Sequence, residues 1–186
     1  MIFSSRMYSL VIYFFKMVKK ILLLVIGFLL VIGYWYNFYN TGKQKQIVAD
    51  SIIKVQTEQA VSLLQGLQDK VVSGEMGRVE AEVLGADLLR SLRYGKDGYF
   101  FADTLNGVNV VLYGSAVEGT NRLDDTVNGV SYVKNIIASS KAGGGYTDYY
   151  YTRQGGTVAE AKRAYSLEFK PWGWSVGTGY YLKDVQ

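Results

Sequence analysis

The 186-residue chain has no cysteine, no histidine and only one proline. Without a thiol or an imidazole it cannot form a Ser-His-Asp or Cys-His nucleophile, a haem ligand set, an iron-sulfur cluster or an ordinary structural zinc site. The glycine run 143–145 lacks the Gly-Lys-Ser or Gly-Lys-Thr ending of a phosphate-binding loop, and Asp124-Asp125 lacks the ligand spacing of a calcium loop. We therefore expect no catalytic residues, no cofactor and no metal.

Acidic residues are missing from the first 49 positions, which carry all of the basic excess. From Asp50 onward acidic residues slightly outnumber basic ones, so the net charge of +4 belongs to the N-terminal end. A nucleic-acid-binding domain would need its cations clustered on the folded part of the chain. We therefore expect no nucleic-acid partner.

A run of apolar residues without a charge occupies residues 21–39. In helical form it matches the ~30 Å hydrocarbon layer of a bilayer. Cations precede the run and aromatic residues crowd its far end, which places the N-terminus inside the cell. The sequence thus predicts a cytoplasmic segment over 1–20, a single transmembrane helix over 21–39 and an extracytoplasmic domain, periplasmic or extracellular, over 43–186. A cleaved signal peptide is the alternative, but no small-x-small site follows the run. Met17 is an alternative start to Met1.

Beyond the apolar run, a seven-residue apolar recurrence predicts a long amphipathic helix continuing the membrane span. Its stripe consists of Ile53, Ala60, Leu64, Leu67 and Val71. The stripe fits two arrangements: a coiled coil with another chain, or packing against the domain's own sheet. We expect a homodimer as the assembly. A second amphipathic helix is predicted over 78–92, with four side chains turned inward: Val79, Val83, Ala86 and Leu88.

From Gly95 onward, β-branched and aromatic runs predict a sheet. Asn106-Gly107 separates the first two strands, 99–104 and 108–113, and Asn-Gly is a strong hairpin signal. A helix around Val133 follows, and then three more strands are predicted over 146–153, 162–169 and 174–182. Because the hairpin spacings leave no room for parallel crossovers, the predicted fold is α+β: an antiparallel sheet with a long N-terminal helix and with its helices on one side.

Four blocks of this sequence resemble a known family. They are Leu92-Arg93-Tyr94-Gly95 with Gly98-Tyr99-Phe100-Phe101-Ala102-Asp103; Gly144 to Tyr150; Lys162-Arg163-Ala164-Tyr165; and Phe169 to Tyr181, which contains Trp172-Gly173-Trp174-Ser175-Val176-Gly177-Thr178-Gly179. In this order they resemble the single Cache domain, the extracytoplasmic sensor of many methyl-accepting chemotaxis receptors and some sensor kinases. The resemblance extends from about residue 43 to the last residue.

The resemblance implies a PAS-like fold and recognition of a small molecule, often a short-chain carboxylate, rather than catalysis. For the family, signals pass to a methylated cytoplasmic rod or a kinase, and this chain contains neither, so the signalling module is expected beyond it or in a partner. Many members carry Met-His-Pro beside the ligand cavity, where this chain has Leu112-Tyr113-Gly114. Tyr113 is therefore expected to close the cavity in place of histidine.

The candidate ligand-binding residues come from both lines of reasoning. Strand alternation places Tyr99 and Phe101 on one face, and Tyr149 and Tyr151 on one face of a later strand, which predicts an aromatic wall with phenol groups. A buried carboxylate ligand needs a cation. Lys162 matches the family's Lys-x-x-Tyr block and Arg93 lies near the strands. The full predicted set is Arg93, Tyr99, Phe101, Tyr113, Tyr149, Tyr151 and Lys162.

Two functions of different classes fit these patterns. The first is a membrane-anchored sensor whose ligand, expected to be a small carboxylate-type solute, shifts the helix that leads to the membrane. The second is a membrane-tethered adhesion or assembly module that binds no small ligand and acts through the stripe from Ile53 to Val71.

Overall fold

The computed structural model describes residues 5–185, so the first four residues of the predicted cytoplasmic segment and Gln186 lie outside the described residues. Contacts divide the chain into two compact units between Gln44 and Lys45. Helix α1 (Ser5–Val72) supplies the described part of the first unit and the first element of the second.

No helix within residues 5–185 meets the combined length and hydropathy required of a membrane span. The apolar run 21–39 lies inside α1, so the predicted continuation of this run into the amphipathic helix is confirmed. Neither the residues before the run nor those from 40 to 72 contain a proline that would end the helix.

After α1, the described part of the second unit contains two short 3-10 helices, Lys170–Trp172 and Leu182–Val185, together with two α-helices and six strands. The α-helices and strands are α2 (Arg78–Ser91), β1 (Arg93–Tyr94), β2 (Gly98–Thr104), β3 (Asn109–Leu112), α3 (Tyr132–Lys141), β4 (Gly145–Thr152), β5 (Ala159–Phe169) and β6 (Trp174–Tyr181). All strand pairs are antiparallel, in the order β1-β2-β6-β5-β4 with β3 also pairing with β2. The predicted antiparallel sheet and its Asn106-Gly107 turn are confirmed, with Gly107 at φ 86°.

The sheet is covered by helices on both faces, so the prediction of helices on one side is wrong. On one face α1 and α2 pack against Phe100, Ala102 and Val176. On the other face α3 packs against Tyr99 and Phe101. The physical reason is that β2 carries apolar or aromatic side chains on both faces, Tyr99 and Phe101 on one and Phe100 and Ala102 on the other, so each face needs its own cover.

The predicted α1 stripe packs on this domain's own sheet, which decides between its two arrangements. Ala60, Leu64 and Leu67 are buried in the core with Phe169 and Trp174. The stripe is therefore not exposed for the assembly function that was predicted to act through it.

The face predicted for α2 is only partly right. Ala86 is buried, but Val79 and Val83 are 75% and 58% exposed. The buried side consists of Ala81, Gly85, Ala86 and Leu89, three of them small. A Cβ on Gly85 would lie 2.6 Å from the Trp172 ring, so close approach to that ring requires a glycine on the packed face.

Candidate ligand-binding site

Six tyrosines form a cluster on the α3 side of the sheet, here called the tyrosine cluster: Tyr99, Tyr113, Tyr132, Tyr149, Tyr151 and Tyr181. The Tyr132 and Tyr149 rings stack with centroids 5.4 Å apart, and the Tyr99 ring meets Tyr113 edge-on at 4.9 Å. Burial raises the pKa of Tyr149 and of Tyr99 well above the usual range. The phenols are therefore neutral O–H groups that can donate hydrogen bonds.

Lys162 projects from β5 into the tyrosine cluster. Its side chain is almost fully buried, with 2% of the residue exposed, and its Nζ donates a hydrogen bond to the Tyr99 hydroxyl over 2.6 Å. The same nitrogen lies 4.2 Å from the Tyr99 ring centroid, 5.3 Å from that of Tyr181 and 5.7 Å from that of Tyr151. Within residues 5–185 no carboxylate forms an ion pair with it. Burial, with a smaller contribution from Arg153, lowers the pKa of Lys162 to about 7.

A second buried cation, Arg122, lies beside Tyr132 and Tyr151 of the cluster. Its guanidinium donates to Asp103 over 2.7 Å, and both side chains are nearly inaccessible to solvent. Asn109 donates to the same carboxylate oxygen over 2.9 Å. Burial raises the pKa of the Asp103 carboxyl, and Arg122 opposes that shift. In the described chain Arg122 Nε and the other Asp103 oxygen are left without hydrogen-bond partners.

Arg122 acts on the tyrosine cluster itself. Burial raises the pKa values of Tyr132 and Tyr151, and the Arg122 charge works against that rise at each phenol. Lys162 Nζ also lies 5.7 Å from the Tyr151 ring centroid, so Tyr151 is close to one buried cation and feels the charge of the other. The site therefore combines two buried positive charges, one buried carboxylate and six neutral phenols.

Tyr113 holds its place in the cluster through a strained backbone. Its φ of 45° is in the left-handed region, which a tyrosine rarely adopts. Glu118 accepts hydrogen bonds from the backbone N–H groups on either side, those of Leu112 over 2.6 Å and Gly114 over 2.8 Å. Arg90 of α2 donates to the same carboxylate over 2.9 Å. Burial acts to raise the pKa of Glu118, but these donors together lower it below the usual value. Glu118 thus fixes the turn that presents Tyr113.

The structure brings six of the seven predicted residues together. Phe101 packs in the same core as the tyrosine cluster, and Lys162 lies among its rings. Arg93 is not among them: it is exposed on the two-residue edge strand β1, where its guanidinium donates to the carbonyls of Arg90 and Leu92. The Arg93 guanidinium thus binds backbone carbonyls of its own chain and lies outside the tyrosine cluster.

Three residues of the site were not predicted as ligand-binding. Tyr132 begins α3 and Tyr181 ends β6, and both were readable from the sequence, since Tyr132 precedes Val133 on the apolar face of its helix and Tyr181 alternates with Gly179 and Gly177. Arg122 comes from an irregular segment between β3 and α3, where no periodicity marks a buried side chain.

Comparison with known proteins identifies a family model and two curated relatives that match this chain. Residues 46–186 match the family model of single Cache domain 2. The chain is 38% identical over 132 residues to the sensor histidine kinase MctS of Rhizobium johnstonii, covering 69% of this chain and 28% of that protein. It is 27% identical over 174 residues to the methyl-accepting chemotaxis protein McpP of Pseudomonas putida, covering 89% and 31%. The chain thus spans less than a third of the length of these curated relatives.

Solved structures give the same architecture. A periplasmic sensor domain of a chemotaxis protein is 27% identical with a TM-score of 0.68, covering 70% of this chain and 93% of that one. A Cache chemosensory domain studied for carboxylic acid recognition has a TM-score of 0.71 at 23% identity, covering 75% and 97%, a similarity that concerns the fold. The chain therefore belongs to the single Cache domain family, the non-catalytic, ligand-binding sensor domains found outside the membrane in chemotaxis receptors and sensor kinases.

Proposed function

We propose that the domain senses a small carboxylate solute, which binds in the tyrosine cluster with Lys162 as its counter-ion. The observation that carries the proposal is a fully buried ammonium group with phenols around it and no carboxylate paired to it within residues 5–185. A buried cation without a partner is costly, and a bound carboxylate removes that cost.

The cluster offers the hydrogen bonds that a carboxylate requires. One N–H group of Lys162 Nζ donates to the Tyr99 oxygen, so its remaining N–H groups are available to a ligand. Arg122 Nε, which has no hydrogen-bond partner within residues 5–185, is a further donor near Tyr151. The aromatic faces suit a short apolar tail, so the expected ligands are small monocarboxylates.

Ligand binding by the full chain in mild detergent tests this proposal. Thermal unfolding is followed by tryptophan fluorescence with acetate, propionate, pyruvate or lactate, and with acetamide and propionamide as neutral counterparts. We expect saturable stabilisation by one or more acids and none by the amides. Lys162→Met is expected to abolish the effect, whereas Lys134→Met, which removes an exposed lysine of α3, is expected to keep it. A Lys162→Met variant that binds like the parent contradicts the proposal.

We also propose that the sensor works as a homodimer. On the outward side of α1, Val48, Ile52 and Val55 are exposed at i, i+4 and i+7 spacing, separate from the stripe buried under the sheet. Ile52→Glu is expected to convert dimers to monomers in light-scattering measurements, and Lys54→Glu on the same helix is the control. An unchanged mass in Ile52→Glu contradicts this interface.

For topology we propose single-pass anchoring through residues 21–39, with the N-terminus in the cytoplasm and signalling by a module beyond this chain or in a partner. Support comes from the uncharged apolar run and from the solvent-exposed leucines within it, such as Leu24. Since the chain has no cysteine, Val158→Cys introduces a unique thiol at an exposed loop. Labelling by an impermeant maleimide on intact cells is expected, and labelling only after lysis contradicts the topology.

A further inference from the structure

Strands β5 and β6 connect the two faces of the sheet at the candidate site. Lys162 pairs with Tyr181 in the ladder, and the next pair is Arg163 with Tyr180. Because side chains alternate along a strand, the first pair points into the tyrosine cluster and the second points to the opposite face. Lys162 and Tyr181, which face the tyrosine cluster, are thus each joined by one peptide bond to a residue that faces the other side of the sheet.

On the opposite face, the second pair meets one carboxylate of α1. Tyr180 donates a hydrogen bond from its hydroxyl to Asp50 Oδ1 over 2.7 Å, and Arg163 Nε lies 3.0 Å from the same oxygen. The Tyr146 hydroxyl donates to the Asp50 backbone carbonyl over 3.1 Å. Two helical turns further along α1, the Thr57 hydroxyl is shared between the Ile53 carbonyl of its own helix at 2.8 Å and the Tyr165 carbonyl of β5 at 3.3 Å. The start of the second unit's helix is therefore tied to the strands that carry Lys162.

We propose that Asp50 is a positioning residue of the ligand site: through Arg163 and Tyr180 it sets the placement of Lys162 and Tyr181, and through the same contacts ligand occupancy reaches α1. This inference rests on the proposed function. Adjacent Cα atoms are held ~3.8 Å apart by a planar peptide, so a shift of Lys162 toward an anion moves Arg163 as well. Coupling of this kind is reciprocal. If ligand binding changes the contacts of Asp50, then a change in those contacts alters the affinity for the ligand.

The charges around Arg163 allow the coupling to be tested without unfolding the domain. Arg163 is shared between two carboxylates, since its terminal nitrogen also contacts Asp148 over 2.7 Å. The Asp50 and Arg163 side chains retain 21% and 22% exposure. Neutralising Asp50 therefore leaves Arg163 paired with Asp148 of the sheet, so no buried charge loses its last partner. The contact between Arg163 and α1 is weakened.

The experiment compares Asp50→Asn with Glu58→Gln in the full chain. Glu58 is on the same helix, and its partner is the exposed Lys54 at 3.9 Å. Propionate affinity is measured by calorimetry, and amide hydrogen exchange of residues 46–58 is measured with and without propionate. We expect an affinity change of about 3- to 10-fold in Asp50→Asn and loss of the ligand-dependent exchange change, with Glu58→Gln like the parent.

A second measurement needs no ligand. Lys162→Met alters the site directly, and it is expected to change the exchange of residues 46–58 in the parent but not in the Asp50→Asn background. The inference is overturned if Asp50→Asn binds propionate with the affinity of the parent and shows the same ligand-dependent exchange change in residues 46–58. That outcome leaves carboxylate binding intact. If the parent binds none of acetate, propionate, pyruvate and lactate, the proposed function fails. The ligand-free comparison then decides the coupling alone: an equal exchange change in both backgrounds overturns it, and a change confined to the parent supports it.

Discussion

Lys162→Met is expected to stabilise the ligand-free domain at neutral pH. In the folded domain the pKa of Lys162 is about 7, against an ordinary value of 10.5. Between these two values the unfolded chain keeps the proton that the folded domain has lost. Stability therefore rises with pH across this window, and the full cost of the buried ammonium is present below pH 7.

The magnitude follows from the two pKa values. Each pH unit inside the window is worth about 1.4 kcal/mol, which gives about 5 kcal/mol between pH 7 and 10.5. Unfolded tyrosines begin to ionise near pH 10, while burial raises the pKa of Tyr99 and Tyr151, so their titration opposes the trend above about pH 9.5. Between pH 7.5 and 9.5 the expected gain is about 3 kcal/mol. Methionine, with similar length and no charge, is expected to add about 1–4 kcal/mol at neutral pH.

Urea unfolding of residues 45–186, the second compact unit, measures both effects through tryptophan fluorescence. Trp172 and Trp174 are buried in the core, so their emission reports unfolding. The parent and Lys134→Met should gain stability from pH 7.5 to 9.5, whereas Lys162→Met should start higher and show no such gain. A flat parent profile, or the same slope in Lys162→Met, refutes the reasoning, because Lys162 would then keep its proton in the folded state.

Three further substitutions test other parts of the site. Arg122→Met leaves the buried Asp103 without its cation and is expected to cost about 3–5 kcal/mol in urea unfolding at pH 7. The cost is expected to fall toward acidic pH, because burial raises the pKa of Asp103 and the carboxyl takes up a proton. Gly177→Ala places a Cβ 2.5 Å from the Phe101 ring and is expected to cost about 1–3 kcal/mol in the same assay. Glu118→Gln removes a charge from two backbone hydrogen bonds and is expected to lower stability by about 1–2 kcal/mol and to weaken propionate binding in calorimetry.

Local patterns in the sequence were sufficient for most of the fold. Strand alternation placed Tyr99 and Phe101 on one face because the period of a strand is fixed at two. The Asn106-Gly107 signal located the first hairpin because few residue pairs tolerate its positive φ values. Lys162 was found through a family motif, and its burial was not readable from its neighbours.

The errors have a common physical origin in long-range packing. Arg93 and Arg122 are both arginines near strands, but a two-residue edge strand leaves the first in solvent while an irregular segment carries the second into the core. The packed side of α2 was misjudged because Trp172, more than 80 positions further along the chain, requires Gly85 beneath its ring. Neither relation leaves a trace in local sequence.

The alternation of β5 restricts how this domain can change length. One extra residue inside Ala159–Phe169 would exchange the two sides of the strand, so that an arginine would face the phenols and the lysine would face α1. A one-residue insertion or deletion in this segment is therefore expected to disrupt recognition, even where it preserves the strand. On the N-terminal side of β5, length variation between homologous sensors should fall in the exposed turn 154–158, which makes that turn a suitable place to insert a tag or a reporter.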